Sequence, residues 1–132
     1  MKRAIFSIFG ILAILVVFVQ GCGGISNADQ IVFPSSGVSY SQQVEPFLTL
    51  ACNTSGCHNA TDMAGGYDFS SWASIRGYPG LIDVNTSNPN IDTSSILLRT
   101  LFGEEIHNAP LDVNENQRDG IREWVFEGAL LN

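Results

Sequence analysis

Two cysteines and a histidine fall within seven residues, Cys52-Asn53-Thr54-Ser55-Gly56-Cys57-His58. Four spacer residues separate the cysteines, and the histidine follows the second cysteine directly. A single local turn of the chain can therefore bring the three side chains together. Gly56 gives the connecting loop the backbone freedom to turn back on itself. Such a stretch is suited to three roles: a disulfide, a metal site, or the attachment of a prosthetic group.

The N-terminus has the form of an export signal. Met1-Lys2-Arg3 is cationic, and sixteen almost unbroken apolar residues follow, from Ala4 to Val19. That run is short for a membrane span, which needs about 20 residues, but is typical of a secretory signal. It ends at Gly21-Cys22, which resembles the bacterial lipoprotein signal. We predict a signal peptide over 1–21 and lipidation of Cys22; the alternative is a retained anchor helix with Cys22 unmodified.

Both alternatives give a membrane-anchored, extracytoplasmic domain, in the periplasm or at the outer surface. Free thiols are uncommon in such oxidising compartments, so Cys52 and Cys57 should be paired or bound. After removal of the signal, four arginines remain against thirteen acidic residues, a net charge of −9. Nucleic-acid binding needs a basic surface, and it is therefore not expected. An acidic surface suits steering toward a positively charged protein partner.

Residues 22–38 are rich in Gly, Ser and Asn, which predicts a flexible tether before a domain over 39–132. Within that domain the apolar spacing predicts four short helices, at about 39–51, 68–76, 95–101 and 114–130. Ser39 with Gln42 and Asn114 with Gln117 have the pattern of capping boxes. Strand-like alternation is almost absent, so the fold class is all-α. Such a small domain has little apolar area of its own, and a bound group would help to fill its core.

The residues alone leave three chemistries open for Cys52 to His58. In a covalent haem site, the thiols add to the vinyl groups and His58 binds iron, although the usual c-type signature has two spacers. A disulfide between Cys52 and Cys57 would close a short loop and stabilise the folded state by about 2 kcal/mol, but it leaves His58 without a role. A zinc ion could use both thiols with His58 and His107, although adjacent Cys57 and His58 are awkward ligands for one tetrahedral ion.

Several segments, in order along the chain, resemble the small cytochrome c-like domains of bacterial lipoproteins and the planctomycete-type cytochrome c family. The matching segments are Val44–Phe47, Cys57-His58, Ala64–Phe69, Ser94–Leu97 and Ile121–Ala129. The resemblance implies a cytochrome c-like fold, with about four short helices around a haem crevice and the first and last helices crossed. It also implies one covalent haem c, attached through Cys52 and Cys57 and ligated by His58.

The function implied by this resemblance is the transfer of single electrons between redox partner proteins. The sequence contains no recognisable set of acid, base and nucleophile, so we do not predict an enzyme. The competing hypothesis is a disulfide-stapled lipoprotein binding module that has no cofactor.

The second axial ligand is where the chain departs from the family pattern. Those domains usually carry Met-Pro shortly before the last helix, whereas this chain has Ala109-Pro110, and alanine cannot bind iron. His107 lies two residues earlier and is the predicted ligand. Met63 is the alternative, although it follows His58 by only five residues. Two histidine ligands imply a lower reduction potential than histidine with methionine.

Overall fold

The structure, a computed structural model, describes residues 27–85, 87–103, 107 and 111–132. The predicted signal peptide, Cys22 and Ala109 lie outside the described residues. The described part of the chain is helical and has no β-strand, which confirms the all-α class there. None of the helices in those residues has the length and apolar character needed to cross a membrane.

Short α-helices separated by long loops make up the described residues. They are α1 (Glu45–Ala51), α2 (Trp72–Gly77), α3 (Ile91–Ser94), α4 (Ile96–Leu101) and α5 (Glu115–Phe126). A π-helical turn, Tyr40–Val44, leads directly into α1. Single 3-10 turns form at Ala28–Gln30 and Ala64–Gly66.

The predicted caps at the first and last helices are confirmed, with one change of partner. The Ser39 hydroxyl accepts a hydrogen bond from the Gln42 amide at 3.3 Å. The return bond comes from the Ser39 amide to the side chain of Gln43, not of Gln42. Asn114 and Gln117 form the complete reciprocal box at the start of α5. Both caps satisfy amides that the first helical turn leaves without partners.

The other helix limits differ from the prediction for local reasons. The second helix begins at Trp72 because Ser71 caps it through the Ser74 amide. The last helix ends at Phe126, before the predicted Leu130, since Gly128 and Ala129 adopt left-handed backbone angles. Left-handed residues end a helix by satisfying its last carbonyl groups.

The predicted flexible tether is wrong for residues 27–38, which belong to the folded domain. Ile31, Phe33 and Val38 are buried in the core. The Asn116 side chain binds both the amide and the carbonyl of Phe33, at 2.9 and 3.0 Å. Apolar side chains at only a few positions among many polar ones are enough to anchor the segment. Average composition is therefore a poor guide to its structure.

The last helix is the element against which the N-terminal segment packs. Gly120 of α5 has no side chain, and a Cβ atom there would lie 2.1 Å from the ring of Phe33. The same Phe33 ring packs edge-on against Phe47, with ring centroids 5.7 Å apart. On the π-helical turn, the Tyr40 ring packs on Trp124 at 5.8 Å. Helix α5 thus links the N-terminal segment to the start of the first helix.

Candidate cofactor site

The Cys–His loop, residues 52–66, begins where α1 ends. The Cys52 carbonyl accepts a hydrogen bond from the His58 amide at 3.0 Å, which closes the four-spacer turn. Inside that turn the Cys57 amide donates to the Thr54 carbonyl, and Gly56 has a φ of 79°. A non-glycine residue is strained at such an angle. The longer spacing therefore folds compactly, and both thiols and His58 line the same cavity.

That cavity has a volume of about 770 Å³, within the usual range for sites that bind small molecules and cofactors. Its walls come from the end of α1, the Cys–His loop, helix α4 and residues 27–29. Many of the lining side chains are apolar, and they include Leu50, Phe69, Leu81, Ile96, Leu97, Leu101, Leu111 and Val113. A large, mostly apolar cavity in a small domain is suited to a flat organic cofactor.

His58 is held by its surroundings in one orientation. The Phe69 ring stacks on the imidazole, with centroids 4.5 Å apart and planes at 17°. Burial lowers the pKa of His58, and the nearby carbonyls of Tyr67 and Ala64 only partly oppose this effect. The imidazole is therefore neutral near pH 7, which is the form that binds metal ions. Its Nδ1 is buried and has no hydrogen-bond partner.

His107 lines the same cavity as His58, and the two rings lie close together. The two ring centroids are 6.0 Å apart, with planes inclined at 43°. A metal ion bound by two imidazole nitrogens at about 2 Å each holds the ring centres roughly 6 Å apart. Met63, the alternative ligand, is 40% exposed and is not among the cavity-lining residues. The geometry brings the two histidines together and leaves the methionine at the surface.

The two cysteines are partly buried and are not bonded to each other in the structure. Burial, with a smaller contribution from Cys57, raises the pKa of Cys52 to about 12. Its thiol is therefore protonated at any physiological pH. Within the described ranges, no three or more His, Cys, Asp and Glu side chains converge on a possible metal position. A structural zinc ion takes four such ligands.

The charged groups of the cavity come from separate parts of the chain. Arg99 of α4 lines it, together with Asp29 and Asp112. Arg76 instead packs over the ring of Trp72, 5.8 Å from its centroid. The sequence did not single out Asp29 as a site residue, because residues 22–38 had the composition of a linker. The run of three apolar residues Ile31-Val32-Phe33 within this polar stretch was the available signal.

The cavity thus combines two closely spaced imidazoles, two neighbouring thiols and apolar walls in a helical domain. The chain matches no protein-family model, no curated protein and no solved structure.

Proposed function

We propose that this protein is a lipid-anchored, extracytoplasmic monohaem c-type cytochrome that carries single electrons, with its helices in a cytochrome c-like fold. The observation that carries the proposal is the pair of imidazoles, 6.0 Å apart, in a cavity that Cys52 and Cys57 also line. Lipid anchoring rests on the sequence around Cys22.

The placement of these side chains fits a haem better than a structural zinc ion, because no three of them in the described part of the chain converge on one metal position. In a haem the porphyrin would supply four of the ligands to the iron, so the protein would need to provide only two. His58 and His107 would provide them. The apolar wall fits the macrocycle, and the thiols of Cys52 and Cys57 are the groups that form thioether bonds to its vinyl carbons. When bound, haem supplies a one-electron redox couple.

The protein's own residues would hold this group and exclude water from it. Stacking by Phe69 fixes the plane of the His58 ring. Leu81, Leu97 and Leu101 are nearly fully buried and keep that wall of the cavity dry. Arg99 places a positive charge on the cavity wall, where it can pair with a carboxylate of the cofactor. Two imidazole ligands give a lower potential than methionine ligation would.

The direct test is expression in a host that has cytochrome c maturation machinery. We expect a red protein that keeps one haem after denaturation and gives a pyridine haemochrome spectrum of c type. Replacing Cys52 and Cys57 by Ser should abolish retention of haem after denaturation. A colourless, folded product with a Cys52–Cys57 disulfide would overturn the proposal in favour of a binding module without cofactor.

The second axial ligand is tested by replacing His107 with Ala. The ferric protein should change from low spin to high spin, because one of its two strong-field ligands is lost. The matched control is Met63→Ala, which removes the other candidate and should leave the low-spin spectrum intact. An unchanged spectrum in H107A, or a high-spin spectrum in M63A, would overturn the assignment of His107.

A further inference from the structure

The N-terminal segment both forms part of the cavity wall and leads back to the predicted lipid anchor. Asn27, Ala28 and Asp29 line the cavity. The Ala28 carbonyl accepts a hydrogen bond from the Gln117 side chain at 2.7 Å, which fixes this wall to α5. Buried Ile31 and Phe33 hold the following residues in the core. The wall is therefore a fixed part of the domain.

The connection from this wall to the anchor is short. Five residue steps separate Cys22 from Asn27. Each step spans at most about 3.6 Å, so the two Cα atoms lie within about 18 Å of each other in any conformation of the chain. A flexible tether that ran to residue 38 would have allowed a distance of roughly 60 Å between the anchor and the domain. Packing of residues 27–38 into the domain thus removes most of the reach that composition had suggested.

We propose that the anchor holds the N-terminal wall of the cavity close to the lipid surface, and that the electron partner is a membrane-integral redox protein of the same bilayer. This inference rests on the proposed haem function and on lipidation of Cys22. At such a distance the cavity is presented mainly to proteins embedded in that membrane.

The charge of the cavity indicates whether it contacts lipid headgroups or a protein surface at the membrane. Two acidic side chains, Asp29 and Asp112, line the cavity against one basic side chain, Arg99, and the chain after the signal carries a net charge of −9. Anionic lipid headgroups repel such a surface, so the cavity is not expected to insert among them. A protein whose outer surface is basic attracts it. The partner is therefore expected to expose positive charge next to the membrane.

Location is tested with the lipidated, haem-loaded protein in vesicles of phosphatidylethanolamine and phosphatidylglycerol that contain a headgroup-labelled fluorescent lipid. Haem close to the surface quenches that fluorophore. An insertion of about twelve Gly/Ser residues after Ser26 extends the maximum reach to about 60 Å and should relieve most of the quenching. The control adds the same residues after Asn132, where they leave the anchor connection unchanged. Equal quenching by the insertion variant and the control would overturn the location.

The same location is measurable without haem. A dansylated amino acid in place of Leu111, which also lines the cavity, should be quenched by nitroxide-labelled headgroups, and less so after the Ser26 insertion. Absorbance reports separately whether haem is bound. Failure of the proposed function and failure of the membrane placement are therefore distinguishable, because each has its own signal.

The partner is tested by the rate at which membranes of the native host reduce or oxidise the bound haem. Lengthening the connection from five to about seventeen steps deepens the layer that the domain can occupy above the bilayer roughly threefold, and its concentration at the surface, with the rate, should fall by about the same factor. Reduction by dithionite should be unchanged. A rate that does not depend on the insertion, or that membranes stripped of protein by protease still support, would overturn the membrane-integral partner.

Discussion

The N-terminal segment, residues 27–38, and the Cys–His loop, residues 52–66, are both polar stretches without long helices, yet their environments are opposite. The first buries Ile31, Phe33 and Val38 in the core. The second has no residue in the buried class, although it carries the side chains that define the cavity. The segment that looked like a linker supports the fold, and the segment with the motif depends on its surroundings.

The hydrogen bonds of the two segments differ in the same way. Side chains of α5 hold the N-terminal segment: Asn116 binds Phe33, and Gln117 binds Ala28. Within the Cys–His loop the bonds are local: the Gly56 amide and the Asn59 side chain both donate to the Asp62 carboxylate. Apolar burial stabilises the first segment, while short-range polar contacts shape the second. Changes in the first should therefore cost much more stability.

The largest effect is expected at Phe33, which is 3% exposed. Replacing Phe33 by Ala removes its ring from the contacts with Gly120 and Phe47, and should lower the free energy of unfolding by about 3–5 kcal/mol. Denaturant unfolding, followed by far-UV circular dichroism, measures this change in the free energy of unfolding. The control is Val32→Ala, one residue earlier and 73% exposed, which should stay within about 0.5 kcal/mol. Equal, small effects at both positions would contradict the packing of this segment and support the flexible tether predicted from the sequence.

A somewhat smaller effect is expected at Gly120, on the other side of the same contact. An Ala Cβ there would lie 2.1 Å from the Phe33 ring, so the ring must shift. Overpacking of this kind typically costs 1–3 kcal/mol. Gly77 is the matched control: it ends α2, and an added Cβ meets nothing within 4 Å. Thermal unfolding of G120A should occur well below that of G77A; similar midpoints would contradict the close contact.

The outcome at these positions shows what sequence patterns can and cannot predict. The caps at Ser39 and Asn114 were predictable because a capping side chain bonds to amides only a few residues away. The contact of Phe33 with Gly120 joins residues far apart in the chain, and no local pattern specifies it. The chemistry of Cys52, Cys57, His58 and His107 marked them in the sequence as candidates, and all four line one cavity. The sequence did not identify the N-terminal wall, since Asn27, Ala28 and Asp29 carry no distinctive motif.

The smallest effect concerns the Cys–His loop itself and is a pH dependence. The Asn59 side chain, and then the Gly56 amide, lower the pKa of Asp62 below its ordinary value of 3.8 by binding the carboxylate. These bonds stabilise the loop fully above the unfolded pKa, and that contribution is lost as pH falls through the lower, folded pKa. Because Asp62 is exposed, we expect local loosening without global unfolding.

An NMR titration of the Gly56 amide resonance measures this directly, because the Gly56 amide donates to the Asp62 carboxylate at 2.7 Å. The midpoint should lie below 3.8, and Asn59→Ala should move it upward, since the bond with the largest influence on the pKa is then lost. Thr61→Ala is the control, because it leaves both bonds to the Asp62 carboxylate in place. A wild-type midpoint at or above 3.8 would show that these local bonds do not hold the loop. The order of the loop would then have to come from contacts with the rest of the domain, in contrast to the N-terminal segment, which the core holds directly.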